Sequence, residues 1–271
     1  MERYLLSDLA LEQGLSGSAA TVNGFRVERA DGVTSIRLPL QRLRTDLQKT
    51  LAQKTVSEEL CRLFPKHFLR SNAPVTVICL GNPAITADSL GTLCADGIAA
   101  TRAFRKAEPS TFSALGGREI TVLRSGVAGH SGIEARELLL SCIPLLKPGL
   151  IIAIDSLRAV KTENLSATVQ ISARGISPGA AAGNKRAELS EASLGVPVIS
   201  IGVPTAISSQ ALICTALKSA GISSLSEQLE EVIGKQASFT VSASDIDRSV
   251  KLFADVIAKA INLTFLGFAE I

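Results

Sequence analysis

Aromatic side chains are scarce in this chain of 271 residues, which contains no Trp, one Tyr and nine Phe. Proteins that bind single-stranded nucleic acid usually stack bases on several aromatic rings, so the composition argues against such a surface. The formal net charge is only +3, and the Lys and Arg residues are spread among acidic ones. A basic stripe of the kind that binds phosphate backbones is therefore not indicated. We predict no direct nucleic-acid partner.

The sequence also lacks an export signal, a long apolar run and paired cysteines. Its five cysteines are dispersed, with no Cys-x-x-Cys motif, which is typical of a reduced, intracellular protein. The longest apolar region, residues 138–154, is interrupted by two Pro, a Lys and a Gly and is too broken to span a membrane. We therefore expect a cytoplasmic protein without a membrane partner.

Motifs of several common enzyme classes are missing as well. The two histidines, His67 and His130, form no His-Glu-x-x-His motif, which disfavours a zinc peptidase. A Ser-His-Asp triad would have to use one of them, most readily His130, without a Gly-x-Ser-x-Gly elbow to support it. Neither a Walker loop nor a Gly-x-Gly-x-x-Gly fingerprint is present, so nucleotide binding is disfavoured. We expect no cofactor and no metal.

The residues that are present favour an α/β fold with a substantial core, since 46% are hydrophobic and only 20% charged. Apolar runs at 75–80, 120–124, 150–154 and 196–201 predict strands, and segments of helical length separate them, including a predicted helix at 90–104. Such alternation predicts a mainly parallel sheet in a three-layer α/β/α arrangement. An N-terminal hairpin is predicted from strands at 19–29 and 33–40. We find no clear linker and predict a single domain over 1–271.

Two aspartates follow predicted strands. Asp155 comes directly after the run 150–154, and Asp88 lies in a turn-rich stretch after the run 75–80. Reactive groups of α/β proteins collect at such strand ends. Alternatively, Asp88 is the cap of the next helix and Asp155 bonds amides of its own turn. Two carboxyl groups that approach closely cannot both stay charged, so they share a proton.

Several motifs occur together in one order along the chain. They read LGN at 80–82, TADSLG at 86–91, IIAIDSL at 151–157, TVQI at 168–171, GISPGAAAGNKR at 175–186 and LGVPVISIGVPT at 194–205. In this order they resemble the germination proteases of endospore-forming bacteria, a family of atypical aspartic endopeptidases. The resemblance implies a phosphorylase/hydrolase-like fold, similar to that of hydrogenase-maturation peptidases.

The resemblance also implies roles for individual residues. Asp88 and Asp155 match the two catalytic aspartates of the family. Lys185 and Arg186 match the GNKR element of the family and are expected to border the cleft. Asn82, Thr86 and Glu134 are candidates to surround the pair, with turn, cap and surface roles as the alternatives. The implied substrates are small acid-soluble spore proteins, cut after an acidic residue during germination in the spore core. The implied assembly is a homo-oligomer, a tetramer in the family.

A further implication concerns the N-terminus, because germination proteases are zymogens that cut themselves at a site resembling those of their substrates. Residues 7–10 read Ser-Asp-Leu-Ala, which matches an acidic residue followed by a large apolar residue and Ala. The predicted cut lies between Asp8 and Leu9, with residues 1–8 as a propeptide. The alternative is an ordinary helix start.

Some positions depart from the family pattern. Ala87 stands where the family has Pro before the first aspartate, and Ala173, Arg174 and Ser177 replace other family residues. The chain is also short, as though an internal stretch were trimmed. Two alternatives therefore stay open. One is a metal-dependent maturation-type peptidase in which Asp88 and Asp155 bind an ion with Glu134 or His130. The other is a non-catalytic relative that binds spore proteins.

Overall fold

The structure, a computed structural model, describes residues 4–10, 12–14, 17–178, 187–222, 224–235 and 239–267. These residues form nine β-strands and eleven α-helices. The strands are β1 (Ser18–Val22), β2 (Phe25–Ala30), β3 (Val33–Arg37), β4 (Val75–Leu80), β5 (Ile120–Gly126), β6 (Leu150–Ala159), β7 (Thr168–Ser172), β8 (Val198–Ser208) and β9 (Thr240–Val241). The helices are α1 (Asp46–Arg62), α2 (Lys66–Leu69), α3 (Leu90–Gly97), α4 (Arg102–Ala107), α5 (Pro109–Leu115), α6 (Ala128–Ser131), α7 (Ala135–Leu146), α8 (Glu191–Leu194), α9 (Ser209–Ser219), α10 (Glu227–Lys235) and α11 (Ile246–Leu266).

All nine strands belong to one sheet, in the order β1-β2-β3-β7-β8-β6-β4-β5, with β9 paired to β8. The centre is parallel, because β8, β6, β4 and β5 pair in the same direction. Antiparallel pairs extend the sheet through β7 to the N-terminal strands. The α/β class with a parallel centre is therefore confirmed, and the antiparallel side makes the whole sheet mixed.

Helices cover both faces of the parallel centre, which explains why its strands read as unbroken apolar runs. On β6, Ile152 and Ile154 point into the larger core cluster, which also contains residues of α1, α3 and α11. Their neighbours Ile151 and Ala153 point into a second cluster with residues of α7 and α8. The predicted three-layer arrangement follows from this alternation. None of the described helices is both long and apolar enough to cross a membrane.

Two predicted elements are wrong in their limits. The strand predicted at 19–29 is two strands, β1 and β2, joined at Asn23 and Gly24. Both residues have positive φ, 49° and 84°, as a two-residue Asn-Gly hairpin turn requires. The helix predicted at 90–104 ends at Gly97, since Ile98 is extended. A Cβ at Gly97 would lie 2.9 Å from the Cβ of Ala258, so α3 ends where it approaches α11 closely.

The strand β6 is longer than predicted, and this places Asp155 within a strand rather than after one. Its pairing with β4 runs only as far as Ile154. Its pairing with β8, in contrast, continues through Ala159. The strand ends are therefore staggered. Beyond Ile154, the edge of β6 that pairs with β4 borders the space past the end of β4. The candidate site lies in this space.

Candidate active site

A cavity of about 430 Å³ lies at the carboxyl ends of the central strands, and both Asp88 and Asp155 line it. Residues on or directly after all four parallel strands meet there, including Gly81 after β4, Ser125 on β5 and Thr205 on β8. Carboxyl ends of neighbouring parallel strands meet at one edge of the sheet, which is where α/β proteins place their ligand sites. The two aspartates predicted from the sequence are thus brought together around one cavity.

Asp155 is held firmly by its strand. It is only 6% exposed, and its Oδ1 accepts a hydrogen bond of 2.9 Å from the main-chain N–H of Ser156. Across the ladder it is in register with Gly202 of β8. Enclosing a carboxyl group is unfavourable unless it is hydrogen-bonded or protonated, and the N–H of Ser156 supplies one such bond, as the structural alternative for Asp155 expected.

Asp88 sits at the end of a single 3₁₀ turn, Thr86–Asp88, and is half-buried. Its Oδ2 accepts a hydrogen bond of 2.9 Å from the main-chain N–H of Asn82. Gly81 lies directly beneath with a φ of +105°, and a Cβ there would lie 2.0 Å from the main-chain oxygen of Asp88. Only glycine fits this close approach and this φ.

Two further contacts position the turn, and sequence reasoning missed both. The hydroxyl of Thr205, a residue only 1% exposed, donates to the main-chain oxygen of Ala87 over 2.5 Å. On α3, a Cβ at Gly91 would lie 2.3 Å from the oxygen of Leu80 and 2.7 Å from that of Ile154. The helix after Asp88 therefore packs directly on the ends of β4 and β6. The sequence signal was that Gly91 and Thr205 each end one of the motifs.

The other predicted site residues have different outcomes. Asn82 contributes its main-chain N–H to Asp88, while its side-chain oxygen accepts from the N–H of Ala84 at 3.0 Å. Glu134 lines the cavity and also caps α7, where its N–H donates to Oε2 of Glu137 over 2.9 Å. Thr86 shapes the turn through its carbonyl oxygen, which accepts from the Ser89 hydroxyl at 2.8 Å.

Three residues of the sequence analysis cannot be compared with the structure in this way. Lys185 and Arg186 lie outside the described residues, and so does the side chain of His130. Within the described part of the chain, no group of three or more His, Cys, Asp or Glu side chains is arranged to hold a metal ion. The metal-binding alternative includes His130, so part of its ligand set lies outside the described side chains.

The N-terminal segment reaches the same cavity, because Asp8 is one of its lining residues. The N–H of Asp8 donates to the main-chain oxygen of Arg158 over 2.9 Å, and the N–H of Arg158 donates to Oδ2 of Asp8 over 2.8 Å. Leu9 is only 2% exposed and clusters with Leu157 and Ala159. The bond predicted to be cut thus lies beside the cavity that holds Asp88 and Asp155.

This arrangement supplies the components of general acid and base catalysis. Two carboxyl groups from distant parts of the chain border one cavity, and each accepts a main-chain N–H. A carboxyl pair can take a proton from a water molecule and give one to a leaving group.

Comparisons with known proteins agree on one family. The family model described as germination protease matches residues 30–219 of this chain. The germination protease of Bacillus cytotoxicus is 34% identical over 204 residues, which cover 72% of this chain and 54% of the relative. That of Clostridium acetobutylicum is 40% identical over 154 residues, 57% of this chain and 47% of the relative. The chain spans about half the length of these curated relatives.

Two other matches are a further curated relative and a solved structure. The germination protease of Caldanaerobacter subterraneus subsp. tengcongensis is 34% identical over 218 residues, 72% of this chain and 67% of the relative. Among solved structures, a NiFe hydrogenase maturation protease from Thermococcus kodakarensis KOD1 is similar with a TM-score of 0.36 and 14% identity. The alignment covers 70% of this chain and 93% of that one.

Proposed function

Because the chain belongs to the germination protease family, we propose that it is an endopeptidase that uses Asp88 and Asp155 as its catalytic pair. The observation that carries the proposal is that both carboxyl groups border one cavity at the carboxyl ends of the central strands. Asp155 is delivered by a long strand and Asp88 by a turn that Gly81 and Thr205 constrain.

The proposed chemistry requires the two carboxyl groups that line the cavity to act as a pair. When two carboxyl groups share a site, one of them holds a proton that the other lacks. The ionised carboxylate takes a proton from the water that attacks the scissile carbonyl. The protonated carboxyl polarises that carbonyl and later gives its proton to the departing amine. Because the titration belongs to the pair, neither Asp88 nor Asp155 has a fixed role.

The proposed substrates are small acid-soluble spore proteins, cut on the carboxyl side of an acidic residue during germination. This follows the family that the curated relatives and the motifs indicate. We propose that residues 1–271 act as one domain and assemble as a homo-oligomer, with the tetramer of the family as the expected form. No cofactor takes part in the proposed reaction.

The protein is proposed to be made as a zymogen that cuts itself between Asp8 and Leu9. Two contacts support this part of the proposal. Asp8 lines the cavity together with both catalytic aspartates, and Leu9 is buried beside it. With the segment in place, substrate access to the cavity is restricted. Release of residues 1–8 would then open the cavity.

Cleavage of a purified small acid-soluble spore protein tests the catalytic pair. Wild type, Asp88→Asn and Asp155→Asn are compared, each with and without a chelator. Either substitution is expected to lower kcat by at least about a thousand-fold, because Asn neither takes nor gives a proton at neutral pH. Asp96→Asn is the matched control, since Asp96 is 64% exposed on α3 and pairs with Arg124. This control is expected to cleave like wild type.

Each other outcome has a distinct meaning. An active Asp88→Asn or Asp155→Asn protein would overturn the paired mechanism. Activity that disappears with the chelator would place both aspartates in a metal site instead. Absence of cleavage by every form, also after removal of residues 1–8, would favour the non-catalytic, spore-protein-binding alternative.

A further inference from the structure

The side chain of Gln170 holds the main chain of the N-terminal segment on both sides of Leu9. Its Nε2 donates to the main-chain oxygen of Asp8 at 3.1 Å, and its Oε1 accepts from the N–H of Ala10 at 2.8 Å. Gln170 is 7% exposed on β7, in register with Gly202 of β8. These bonds involve only main-chain groups of the segment, so they do not depend on which side chains it carries.

The side chain between these two bonds is enclosed. Leu9 is 2% exposed and packs in a small cluster formed by Leu157, Ala159 and Ile176. Such a pocket favours a large apolar side chain through the area it removes from water, and it accepts shapes of similar volume. This pocket lies on the same face of the sheet as Gln170, because Leu157 and Gln170 also line one shared groove.

The residue before Leu9 is bound at the edge of β6 that β4 leaves uncovered. The main chain of Arg158 accepts from the N–H of Asp8 and donates its own N–H to the Asp8 carboxylate. An acidic side chain of this length places a carboxylate oxygen where it accepts from the N–H of Arg158. Together, the three contacts suit three consecutive residues: an acidic residue, a large apolar residue and a residue whose main-chain N–H donates to Gln170.

The part of the segment that follows is anchored separately. The carboxylate of Glu12 accepts from the N–H of Val160 at 2.6 Å and of Lys161 at 2.9 Å, and from Nδ2 of Asn164 at 2.7 Å. These anchors lie downstream of Leu9, so they would persist after a cut between Asp8 and Leu9. Such a cut would release Asp8, whereas Leu9 and Ala10 would stay on the anchored side. A substrate peptide would therefore have to displace these two residues from the pocket and from Gln170.

We infer that Gln170 and the pocket of Leu157, Ala159 and Ile176 form a peptide-binding subsite, which the N-terminal segment occupies here and substrate occupies in turnover. Gln170 is a substrate-binding residue that holds the main chain around the apolar residue after the scissile bond, while the pocket of Leu157, Ala159 and Ile176 selects the apolar side chain. The inference deepens the proposed endopeptidase function and rests on it. The recognised ligand is an extended peptide in which an acidic residue precedes a large apolar one.

The inference is tested without any turnover by a thermodynamic cycle that combines one change in the bound peptide with one change in the protein. The full chain carries Leu9→Asp, which displaces its own segment, and Asp88→Asn, which prevents cleavage. The probe is a fluorescent peptide with the sequence of residues 4–14, YLLSDLALEQG, or the same peptide with an N-methyl group at Ala10. In this background, N-methylation is expected to weaken binding at least about five-fold, because it removes one hydrogen-bond donor.

Gln170→Met completes the cycle, since Met keeps the length of the side chain and loses both hydrogen bonds. It is expected to weaken binding of the unmodified peptide about five-fold or more and to abolish the effect of N-methylation. Gln53→Met makes the same exchange at a buried position, 5% exposed, on α1. This control is expected to bind both peptides as the background does.

An N-methyl effect that is equally large with Met at position 170 would overturn the inference, and so would absence of peptide binding to a folded background protein. Hydrogen exchange at the Ala10 amide provides a second test in a chain without Leu9→Asp and Asp88→Asn, in which the N-terminal segment stays in place. Gln170→Met is expected to speed this exchange at least about ten-fold, and an unchanged rate would again overturn the inference. Positive binding with a wild type that cuts no spore protein would contradict the proposed function alone.

Discussion

The hydroxyl of Thr205 donates to the main-chain oxygen of Ala87 over 2.5 Å, and this bond joins β8 to the turn that carries Asp88. The two residues are 118 positions apart in the sequence. Thr205 is 1% exposed, so water cannot readily replace the bond. The position of one proposed catalytic carboxyl group therefore depends on a strand at the centre of the sheet.

Thr205→Val is expected to lower kcat about 10- to 100-fold with a smaller change in KM, because it releases the turn, while the pocket of Leu157, Ala159 and Ile176 does not include Thr205. Val has the shape of Thr and removes only the hydroxyl. The free energy of unfolding is expected to fall by about 1–3 kcal/mol, since the oxygen of Ala87 loses its partner. Steady-state cleavage kinetics and urea unfolding provide the two measurements. Thr205→Ser keeps the hydroxyl and is expected to restore most of kcat; equal loss in both variants would contradict a role for the bond.

Gly81→Ala is expected to displace Asp88 and to lower cleavage at least about 100-fold. The added Cβ would lie 2.0 Å from the main-chain oxygen of Asp88, at a φ of +105°. We expect the free energy of unfolding to fall by about 2–4 kcal/mol. Gly116→Ala separates backbone strain from collision, because Gly116 has a φ of +72° and open space around it. This control should lose about 1 kcal/mol and retain activity; similar losses in both variants would exclude the collision as the cause.

Arg29→Ala is expected to lower the free energy of unfolding by about 3–5 kcal/mol. The Glu59 carboxylate on α1 is fully buried and accepts bonds of 2.7 Å and 2.6 Å from Arg29 on β2. Without Arg29, this buried charge keeps, within the described part of the chain, the more distant ion pair with Arg62 at 3.3 Å. The exposed pair of Arg26 and Glu28 provides the comparison, since Arg26→Ala should change stability by less than about 1 kcal/mol. Chemical denaturation measures both variants, and equal effects would refute the difference between buried and exposed pairs.

Stability is expected to decline at alkaline pH because of a buried thiol. Burial raises the pKa of Cys79 from its ordinary 9.0 to about 12. The unfolded chain therefore ionises at this thiol above pH 9.0 while the folded chain stays protonated up to about pH 12. The stabilisation is complete below pH 9.0 and is lost as the pH rises to about 12, by about 1.4 kcal/mol per pH unit.

Cys79→Ala removes this contribution, so its unfolding free energy should fall less steeply with pH than that of wild type. Urea unfolding at a series of pH values above 9.0 gives both curves. The variant loses packing at all pH values, and only the difference in slope tests the prediction. Parallel curves would contradict the raised pKa.

Much of the candidate site was predictable from the sequence because its two carboxylates follow apolar runs. Reactive groups collect at strand ends, and the resemblance to the family singled out Asp88 and Asp155; the structure places both at one cavity. Strand β6 nevertheless continues five residues beyond the predicted limit at 154, since Leu157 and Ala159 are buried between partly exposed neighbours. The prediction recognised the fully apolar part and missed this alternating extension.

The features that the sequence analysis did not predict were missed for separate physical reasons. The Asn23–Gly24 turn was readable, because Asn-Gly is a strong hairpin signal, and it was overlooked within an otherwise strand-like run. The roles of Thr205 and Gln170 were not readable, since their partners lie 118 and more positions away. Such contacts depend on the order of strands in the sheet, and no local pattern encodes that order. Gly81 was recognised as part of a motif, but its close approach to Asp88 requires the folded turn.

The stagger between β4 and β6 gives the two proposed catalytic carboxyl groups unequal freedom. Asp155 is embedded in a strand that is paired well past it, whereas Asp88 stands on a short turn between a strand and a helix. An insertion or deletion within residues 82–87 would move one carboxyl group and leave the other in place. The spacing of the pair can therefore diverge between relatives, or be adjusted by design, through this turn alone, with the sheet serving as the fixed reference.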